Sequence, residues 1–581
     1  MTRPITHPVT LRQYALVADG ERGALIGPRG DLAFMCAPRW HDDAVFSSLL
    51  GGRGEYTVSP IDRRFVWGGH YEQDSLVWRS RWVTTRSVIE SREALAFPGD
   101  PGHAVLMRRV EAHEGDAYVH VTLDCRAGFG TRAMTVCRRS SGAWEGRTGD
   151  LSYRWSGATE HARLDDDRLA LELVVPAGES RDLVLELGTG LADELPDPDH
   201  LWARTEQAWR DTAPDLTSSA APGDARHSWA VLRGLTSGDG GMVAAATTSL
   251  PERAEAGRNY DYRYAWIRDQ CYTGQAAAVA GAHDLLDAAV RFVTERVLAD
   301  GPDLKPAYRV AGGRVPDQRR LPLPGYPGAP VQVGNHVNEQ FQLDALGEAL
   351  LLFAAADRVD RLDRDAHDAV QQVVAAIEKR HTEPDAGIWE LEDRRWAHSR
   401  LICAAGLRAV GRGEEADRLV ASVDADCLHS SGRWQRSPDD PLVDAALLLP
   451  GIRGAVPADD PRHVRTWRAV VDELTDDGYV YRFRHDPELP MHQAEGAFVL
   501  SGFHLSLASL GQGRVTEAAR WFERNRGSLG PPGLFTEEFD VVERQLRGNL
   551  PQAFVHALLL ETAHELGRAG VGVEGFAAED R

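Results

Sequence analysis

The chain of 581 residues lacks the features that mark a membrane or secreted protein. No apolar run approaches the roughly 20 residues that a membrane-spanning helix needs. The richest stretch, Ala345–Ala356, is interrupted by Gly347 and Glu348. The first residues, MTRPITHPVTLRQYAL, show no basic segment followed by an apolar one, so they do not predict a secretory signal. We therefore expect a cytoplasmic protein with no membrane partner.

Lysine is almost absent, since only Lys305 and Lys379 occur among 65 basic residues, and the formal net charge is −22. Binding to a phosphate backbone needs a clustered basic face, and no block rich in lysine or arginine stands out. These observations argue against a nucleic-acid partner.

The six cysteines are far apart and include no CxxC pair. In a chain of this size, such spacing indicates reduced thiols in the core. No cluster of metal ligands is visible in the sequence, and we predict neither a metal nor another cofactor. P-loop, HExxH and GxSxG motifs are missing as well, which removes the most easily recognised phosphate, zinc-protease and serine-hydrolase sites.

What the sequence does contain is two regions with different hydrophobic periods. Up to residue 195, apolar residues alternate with polar ones, as in Val119–Leu123, Leu169–Leu173 and Leu183–Leu187. A period of two, broken by Gly, Pro and Asp, predicts antiparallel strands with one buried face, and several such strands suggest a sandwich. The tryptophans of this region are expected in the core or at an interface rather than in a sugar site: Trp40, Trp67, Trp78, Trp82, Trp144 and Trp155.

Residues 196–224 are predicted to form a helical linker, with an amphipathic helix at Leu201–Arg210. From residue 225 to 581 the period is helical, as in the apolar stripe Val370, Val373, Val374 and Ile377. Similar helices are expected at Asp284–Val297, Asn338–Ala356, His398–Val410, Ala494–Leu510, Val515–Asn525 and Pro551–Leu566. Many helices with few strands and no fixed repeat favour a double-layered helical barrel over a solenoid.

Four regions between the predicted helices concentrate aromatic and charged residues, and loops on a rigid scaffold usually carry function. Aromatic rings stack on the apolar face of a pyranose, while Asp and Arg hydrogen-bond its hydroxyls. Taken singly, each region is compatible with a structural role such as a buried polar network or an acidic turn. The regions are Ala246–Glu252 with Gly257–Asp269, Leu323–Asn335 with Gln340–Asp344, Asp385–Glu390, and Gly533–Asp540 with Gly548–Phe554. Gln340 and Asp344 are four positions apart, so we expect them to share one face of a helix.

Carboxyl groups in two of these regions have suitable surroundings for acid–base chemistry. Trp389 precedes Glu390, and a tryptophan beside a carboxyl group can exclude water and raise its pKa, as a general acid requires. Of the adjacent pair Glu537 and Glu538, one can serve as a general base while the other contacts substrate. Hydrolysis of a glycosidic bond uses two carboxyl groups on opposite faces of a sugar ring, so the regions together indicate a glycoside hydrolase.

The same segments, in the same order, resemble the glucoamylase family, glycoside hydrolase family 15, and most closely its bacterial two-domain trehalase-like branch. The resemblance extends over almost the whole chain, since Leu11–Gly51 looks like the opening of the N-terminal domain of that branch. The matching motifs are ATTSLPE, RNYDYRYAWIRD, LPGYPGAPVQVGN, QFQLD, GIWE, EEFD and GNLPQAF.

The resemblance implies an N-terminal antiparallel β-sandwich (residues 1–195), the linker, and an (α/α)6 barrel (residues 225–581). It also implies an exo-acting hydrolase that releases β-glucose with inversion from the non-reducing end of an α-glucoside. By motif position, Glu390 would be the general acid, with a raised pKa, and Glu537 the general base, with an ordinary one. The implied substrate contacts are Tyr262 and Trp266 as an aromatic wall, Arg268 and Asp269 on the terminal glucose, Trp389 stacked nearby and Arg482 on the leaving sugar.

Some residues depart from the family pattern. Leu391-Glu392-Asp393 follow GIWE where a basic residue is usual, and the helix at Leu401–Arg408 lacks the usual Asp-Arg pair. The usual NWDYRYCW appears as NYDYRYAW at Asn259–Trp266. These changes leave the terminal-glucose site intact but leave trehalose, isomalto-oligosaccharides and malto-oligosaccharides open as substrates.

Two other classes of protein remain as alternatives on the same scaffold. A phosphorylase would need an anion pocket in place of the second carboxylate, and the retained Glu537 argues against it. A non-catalytic sugar-binding protein is disfavoured because both glutamates are present. The sequence does not determine whether the chain forms a homo-oligomer.

Overall fold

The computed structural model describes residues 8–138, 142–253, 258–486 and 488–572. Two regions of different secondary structure follow each other along the chain. Strands occupy the first region, from Ala15 to Gly188, and long helices the second, from Pro198 to Arg568. The predicted change from a period of two to a helical period therefore corresponds to a real change of architecture.

The N-terminal region contains three antiparallel sheets in its described part, and all three segments predicted as alternating strands are confirmed. Val119 pairs with Leu173, and Val121 with Leu171, so the apolar side chains of two neighbouring strands share one face. The first four-stranded sheet has the order Ala15–Ala18, Gly23–Ile26, Leu32–Cys36 and Ala44–Phe46. The second has the order Arg163–Asp165, Arg168–Val175, Ala117–Asp124 and Glu55–Pro60. The eight-stranded sheet has the order Cys137–Arg138, Trp144–Thr148, Leu151–Gly157, Ser180–Gly188, His103–Glu114, Val88–Leu95, Trp78–Val83 and Val66–Tyr71.

The core of the sandwich lies between the apolar faces of two sheets. Val119 and Val121 from a four-stranded sheet belong to the same buried cluster as Leu183 and Leu185 from the eight-stranded sheet. The tryptophans of this region are core residues as predicted, because five are buried and Trp67 is partly buried against the same cluster. All six cysteines are free thiols, and the expected core position is wrong only for Cys137, which is exposed on a two-residue edge strand.

The helix predicted at Leu201–Arg210 spans Pro198–Thr212 and covers the outer face of the eight-stranded sheet. Its Trp202 packs with Ala94 and Met107 from that sheet. This helix explains why the strand Val88–Leu95 is buried along its whole length. The linker ends slightly earlier than predicted, because the first helix of the barrel begins at Pro222 and not at residue 225.

Six inner and six outer helices of the described chain form the predicted double-layered barrel. Each inner helix packs against the next, and the last inner helix packs against the first, so the ring is closed. The inner helices are Ile267–Ala280, Leu343–Asp357, Ala397–Ala409, Leu449–Ile452 with the preceding turn Ala445–Leu448, Val499–Gly511 and Ala553–Arg568. The outer helices are Pro222–Leu235, His283–Asp300, Arg364–Arg380, Gly413–Cys427, Pro461–Glu473 and Val515–Arg526.

Burial separates the two layers. The inner helix Leu343–Asp357 is buried on nearly every side, whereas the outer helix Arg364–Arg380 buries only a stripe that includes Val370, Val373 and Ile377. The sequence of this inner helix is therefore apolar on almost every side, and that of the outer helix is amphipathic.

Three inner helices begin later than predicted, and the one expected from Pro551 is displaced least, because it begins at Ala553. The helix expected from Asn338 begins at Leu343, and the helix expected from Ala494 begins at Val499. Gln340 therefore precedes the helix that carries Asp344, and the prediction that these two side chains share a helix face is wrong. The residues displaced from each helix N-terminus lie in extended segments or short turns at one end of the barrel.

Short antiparallel strands fix the loops at the barrel ends. Their pairing gives those loops a defined backbone although they lie outside the barrel helices. The pairs are Ala265–Trp266 with Ala307–Tyr308, Arg319–Leu321 with Val331–Val333, Thr475–Asp476 with Tyr479–Val480, and Ala497–Phe498 with Glu538–Asp540 and Gln545–Arg547. Within the described ranges, no helix combines the length and the apolar character that are needed to cross a membrane.

Candidate active site

A cavity of about 360 Å³ lies where the inner helices begin. Trp266 is the N-cap of one inner helix, and Phe498 is the N-cap of another. Both line the cavity. Of the nine residues predicted for the site, eight line this one cavity: Tyr262, Trp266, Arg268, Asp269, Trp389, Glu390, Arg482 and Glu537.

Glu390 lies in a turn just before an inner helix, with its backbone in the left-handed region at a φ of 54°. Non-glycine residues rarely adopt this conformation, and strained residues of this kind cluster at functional sites. The indole Nε1 of Trp266 donates a hydrogen bond to Glu390 Oε1 at 2.7 Å, and Arg268 Nη2 lies 3.5 Å from the same oxygen. The carboxyl group is therefore oriented from two sides while 27% of its side chain stays exposed.

The side chain of Arg268 is fixed by residues from the neighbouring inner helix. Its Nη1 donates to Gln342 Oε1 at 2.8 Å and lies 3.4 Å from Asp344 Oδ2. Asp269, which follows it in the first turn of the helix, is buried at the cavity, and burial raises its pKa to about 7. The pair thus presents one cationic and one titratable group at the cavity wall.

Glu537, the predicted general base, also lines the cavity, and it is only 7% exposed. The hydroxyl of Tyr262 donates a hydrogen bond to Glu537 Oε2 at 3.0 Å. Burial raises the pKa of Glu537 to about 7, even though Arg482 nearby lowers it. The ordinary pKa expected for this residue is therefore not found, because burial outweighs the neighbouring cation.

Two aromatic side chains lie between the two carboxyl groups. Trp266 contacts Glu390, Tyr262 contacts Glu537, and the two rings meet edge-on with centroids 5.5 Å apart. The carboxyl groups thus stand apart on different loops, with one continuous aromatic surface joining them.

Trp389 and Arg482 form another part of the wall. Trp389 donates its indole N–H to Asp444 Oδ1 at 2.9 Å and packs edge-on against Phe498. The guanidinium of Arg482 lies 4.7 Å from the centre of the Phe498 ring and 5.6 Å from that of Trp389. Both predicted residues are therefore held rigidly at the cavity.

A group of basic side chains surrounds Glu495 on this side of the cavity. Arg482 Nη2 lies 2.6 Å from Glu495 Oε2, His485 Nε2 lies 2.8 Å from it, and Arg258 Nη1 lies 3.6 Å from it. Although burial acts in the opposite direction, Arg482 and His485 lower the pKa of Glu495 to about 2. Arg258, Arg482 and His485 all line the cavity, so this wall carries positive charge.

Glu538 does not line the cavity, contrary to the prediction of a substrate contact. It begins the strand Glu538–Asp540 and is fully buried. Its Oε2 accepts the backbone N–H of Gly496 at 2.8 Å, and its Oε1 lies 3.7 Å from Arg482. Successive side chains of an extended segment point to opposite sides, so Glu537 faces the cavity and Glu538 supports the arginine behind it.

Several residues at the cavity were not singled out from the sequence, among them Glu252, Arg258 and His485. Glu252 is buried beside Glu537, and its Oε1 lies 3.5 Å from the hydroxyl of Tyr262. The sequence feature that could have identified Glu252 is its position at the end of the ATTSLPE segment. Arg258 opens the aromatic segment, and His485 follows Arg482 by three positions.

The N-terminal sandwich braces the loop that carries Tyr262. The next residue, Arg263, forms a buried bidentate pair with Asp261, with Nη2–Oδ2 at 2.8 Å. Its Nη1 also donates to the backbone carbonyl of Asp42 at 2.8 Å and contacts Cys36 Sγ at 3.1 Å. One arginine therefore ties the aromatic wall of the cavity to the sandwich.

Among the described residues, only one group of side chains has the spacing of a metal site, and it lies in the sandwich away from the cavity. It consists of Glu90, Glu111 and His113. Arg79 Nη1 lies 3.1 Å from Glu90 and 3.0 Å from Glu111, and Arg81 also pairs with Glu90. The arginines already neutralise these carboxylates, so the group does not fit a cation.

A helical barrel that gathers two carboxyl groups and an aromatic wall where its inner helices begin has the architecture of a glycoside hydrolase. Comparison with protein families agrees, because residues 231–564 match the model of Glycosyl hydrolases family 15. The chain belongs to that family. Residues 6–213 match a second model, described as Trehalase-like, N-terminal. The predicted family resemblance is thereby confirmed.

Individual proteins resemble the chain over nearly its whole length. Trehalase from Mycobacterium tuberculosis is 28% identical, over 97% of this chain and 91% of the relative. Trehalase 1 from Sulfolobus acidocaldarius is 26% identical, over 96% of this chain and 99% of the relative. A crystal structure of a bacterial glucoamylase complexed with acarbose matches with a TM-score of 0.68 at 13% identity, over 96% of this chain and 95% of that chain. This structural match confirms the predicted sandwich and (α/α)6 barrel.

Proposed function

We propose that the protein is an inverting, exo-acting α-glucoside hydrolase and that trehalose is its substrate. The observation that carries the proposal is the placement of Glu390 and Glu537 at two ends of one aromatic surface in a single cavity. Trehalose is favoured because relatives named trehalase align with almost all of this chain. A cavity of about 360 Å³ is near the lower end of the range of about 300–1,000 Å³ for small-molecule sites and suits a disaccharide.

In this proposal Arg268 and Asp269 hold the hydroxyls of the terminal glucose. Glu390 donates a proton to the glycosidic oxygen as the bond from that oxygen to C1 breaks. Glu537 accepts a proton from the water whose oxygen attacks C1 from the opposite face, and the product is β-glucose. Such a pair must be roughly 6.5–9.5 Å apart to admit the water, and separation by two aromatic rings supports such a spacing.

The leaving sugar would lie against the basic wall. Arg482 is stacked between Phe498 and Trp389, so its guanidinium is held in place and needs little ordering when substrate binds. Arg258 and His485 flank it and provide further donors to hydroxyl groups. The proposal also divides the chain into a sandwich (residues 1–195), a linker (196–224) and a barrel (225–581). In this division the sandwich supports the site through Arg263.

The proposal is tested by measuring glucose release from trehalose, isomaltose and maltose, with and without inorganic phosphate. We expect the highest kcat/KM on trehalose, free glucose as the product, and no need for phosphate as a reactant. A preference for isomaltose or maltose would overturn the choice of trehalose. A glucose phosphate as the product would replace the hydrolase with a phosphorylase, and sugar binding without turnover would indicate a binding protein. The Glu537→Gln variant provides the control for contaminating glucosidase.

A further inference from the structure

A further carboxyl group, that of Glu252, lies beside Glu537 and has no role in the mechanism above. Both side chains reach the hydroxyl of Tyr262, at 3.5 Å for Glu252 and 3.0 Å for Glu537. A Cβ atom built on Gly548 would lie 3.6 Å from Glu252 Cγ and 3.8 Å from Glu537 Cβ, so the two side chains stand side by side. The two carboxyl groups share this hydroxyl and are close enough for each to act on the pKa of the other.

The backbone fixes Glu252 in this position. Its N–H donates to the carbonyl of Arg258 at 3.0 Å, and the carbonyl of the preceding Pro251 accepts the N–H of Gly548 at 3.0 Å. The side chain is only 6% exposed. The paired backbone and the burial together place the side chain of Glu252 beside Glu537.

Two adjacent buried carboxyl groups cannot both be ionised without strong repulsion, so one of them keeps a proton. The surroundings decide which one. Charged and titratable groups facing Glu252 are Glu537, Glu538, Arg258, Arg482, Tyr260 and Tyr262. Within the described chain no basic side chain forms a direct ion pair with Glu252 or with Glu537, and Arg482 lowers the pKa of both, so the cations do not distinguish the two carboxyl groups.

The single hydroxyl proton of Tyr262 distinguishes the two carboxyl groups. It can be donated to one carboxylate, and the shorter contact is to Glu537. Glu537 is thus the better-stabilised anion, and Glu252 is the better place for the shared proton. Consistent with this, burial and the charge of Glu537 raise the pKa of Glu252 well above its ordinary value.

We propose that Glu252 remains protonated at neutral pH and donates its O–H to the carboxylate of Glu537, which keeps the base ionised and correctly oriented. This inference rests on the proposed function, in which Glu537 is the base. Glu252 is then a positioning residue that acts through Glu537 and has no contact with the reacting atoms. It would add a second donor to Glu537 beside Tyr262.

The test compares Glu252→Ala with Glu252→Gln through the pH dependence of kcat/KM. Alanine removes the donor, so the ionised form of Glu537 loses stabilisation and the acidic limb should move upward by about one pH unit. Glutamine keeps an uncharged donor, its amide N–H, so the limb should stay near the wild-type position. The Glu392→Ala variant removes an exposed carboxylate two residues after Glu390 and serves as the control, with no expected shift.

Two results of this experiment would overturn the proposal. A downward shift in both Glu252 variants would mean that Glu252 is ionised and repels Glu537. An equal position of the limb in wild type, Glu252→Ala and Glu252→Gln, with all three folded by circular dichroism, would mean that Glu252 only fills space.

A measurement that does not depend on turnover separates this inference from the proposed function. The infrared difference spectrum between wild type and Glu252→Gln at neutral pH should contain the C=O band of a protonated carboxyl group. If this band is missing, the proposed proton on Glu252 is wrong whatever the activity. If the band is present but no α-glucoside is hydrolysed, only the proposed function fails.

Discussion

Removing the hydroxyl of Tyr262 should move the acidic limb of the pH profile. This hydroxyl donates to Glu537 Oε2 at 3.0 Å and lowers the pKa of a carboxyl group that burial raises to about 7. A hydrogen bond to a charged group contributes about 1.5–3 kcal/mol, and one pKa unit corresponds to about 1.4 kcal/mol. The Tyr262→Phe substitution should therefore raise the pKa of Glu537 by about one to two units.

The consequence follows from the fraction of ionised base. With a pKa of about 7, roughly a tenth of Glu537 is ionised at pH 6, and with a pKa of about 8 only about a hundredth is ionised. The pH profile of kcat/KM reports the ionisation of the free enzyme. At pH 6 the ratio of variant to wild-type kcat/KM should therefore be about tenfold lower than the same ratio at a pH well above the raised pKa of Glu537.

The matched control is Tyr260→Phe. Tyr260 stacks on Tyr262 with ring centroids 6.4 Å apart and is 41% exposed, so the same chemical change is made one ring further from Glu537. The limb should keep its position in this control. If Tyr262→Phe lowers activity equally at every pH, the reasoning about Glu537 is refuted and the hydroxyl acts in some other step.

The remaining predictions concern the two carboxyl groups and the brace from the sandwich. Glu390→Gln and Glu537→Gln should each lower kcat by several orders of magnitude, whereas Glu392→Gln, an exposed neighbour, should not; near-normal turnover in either variant removes that residue from the mechanism. Arg263→Ala should destabilise the fold by about 3–5 kcal/mol in urea unfolding, because it leaves the buried Asp261 without its ion-pair partner. A change below about 1 kcal/mol would show that the brace contributes little.

Most of the fold could be predicted from hydrophobic periods, because each layer buries a different pattern. Alternation at Val119–Leu123 reflects one buried sheet face, and the stripe at Val370–Ile377 reflects the inward side of an outer helix. The helix starts at Leu343 and Val499 could not be predicted in this way. There the segments before the helices include Gln340 and Phe498, which line the cavity instead of extending the helix.

Site residues could be predicted where the residue type and the family motif indicate the same role. They could not be predicted where contacts between distant segments determine the position of a side chain. The strand that begins at Glu538 could not be foreseen, and it turns Glu538 away from the cavity while leaving Glu537 on it. Glu252 lies 285 positions before Glu537 in the chain, and only the fold brings the two carboxyl groups together. The raised pKa of Glu537 has the same origin, since burial by several segments produces it.

The anomeric configuration of the first products tests the central claim most directly. A proton-NMR time course on trehalose, recorded before mutarotation, should show equal early amounts of α- and β-glucose. Inversion at the attacked carbon gives β-glucose, while the leaving glucose keeps its α configuration. Early α-glucose alone would mean retention, and it would contradict the assignment of Glu390 as acid and Glu537 as base on opposite faces of the sugar.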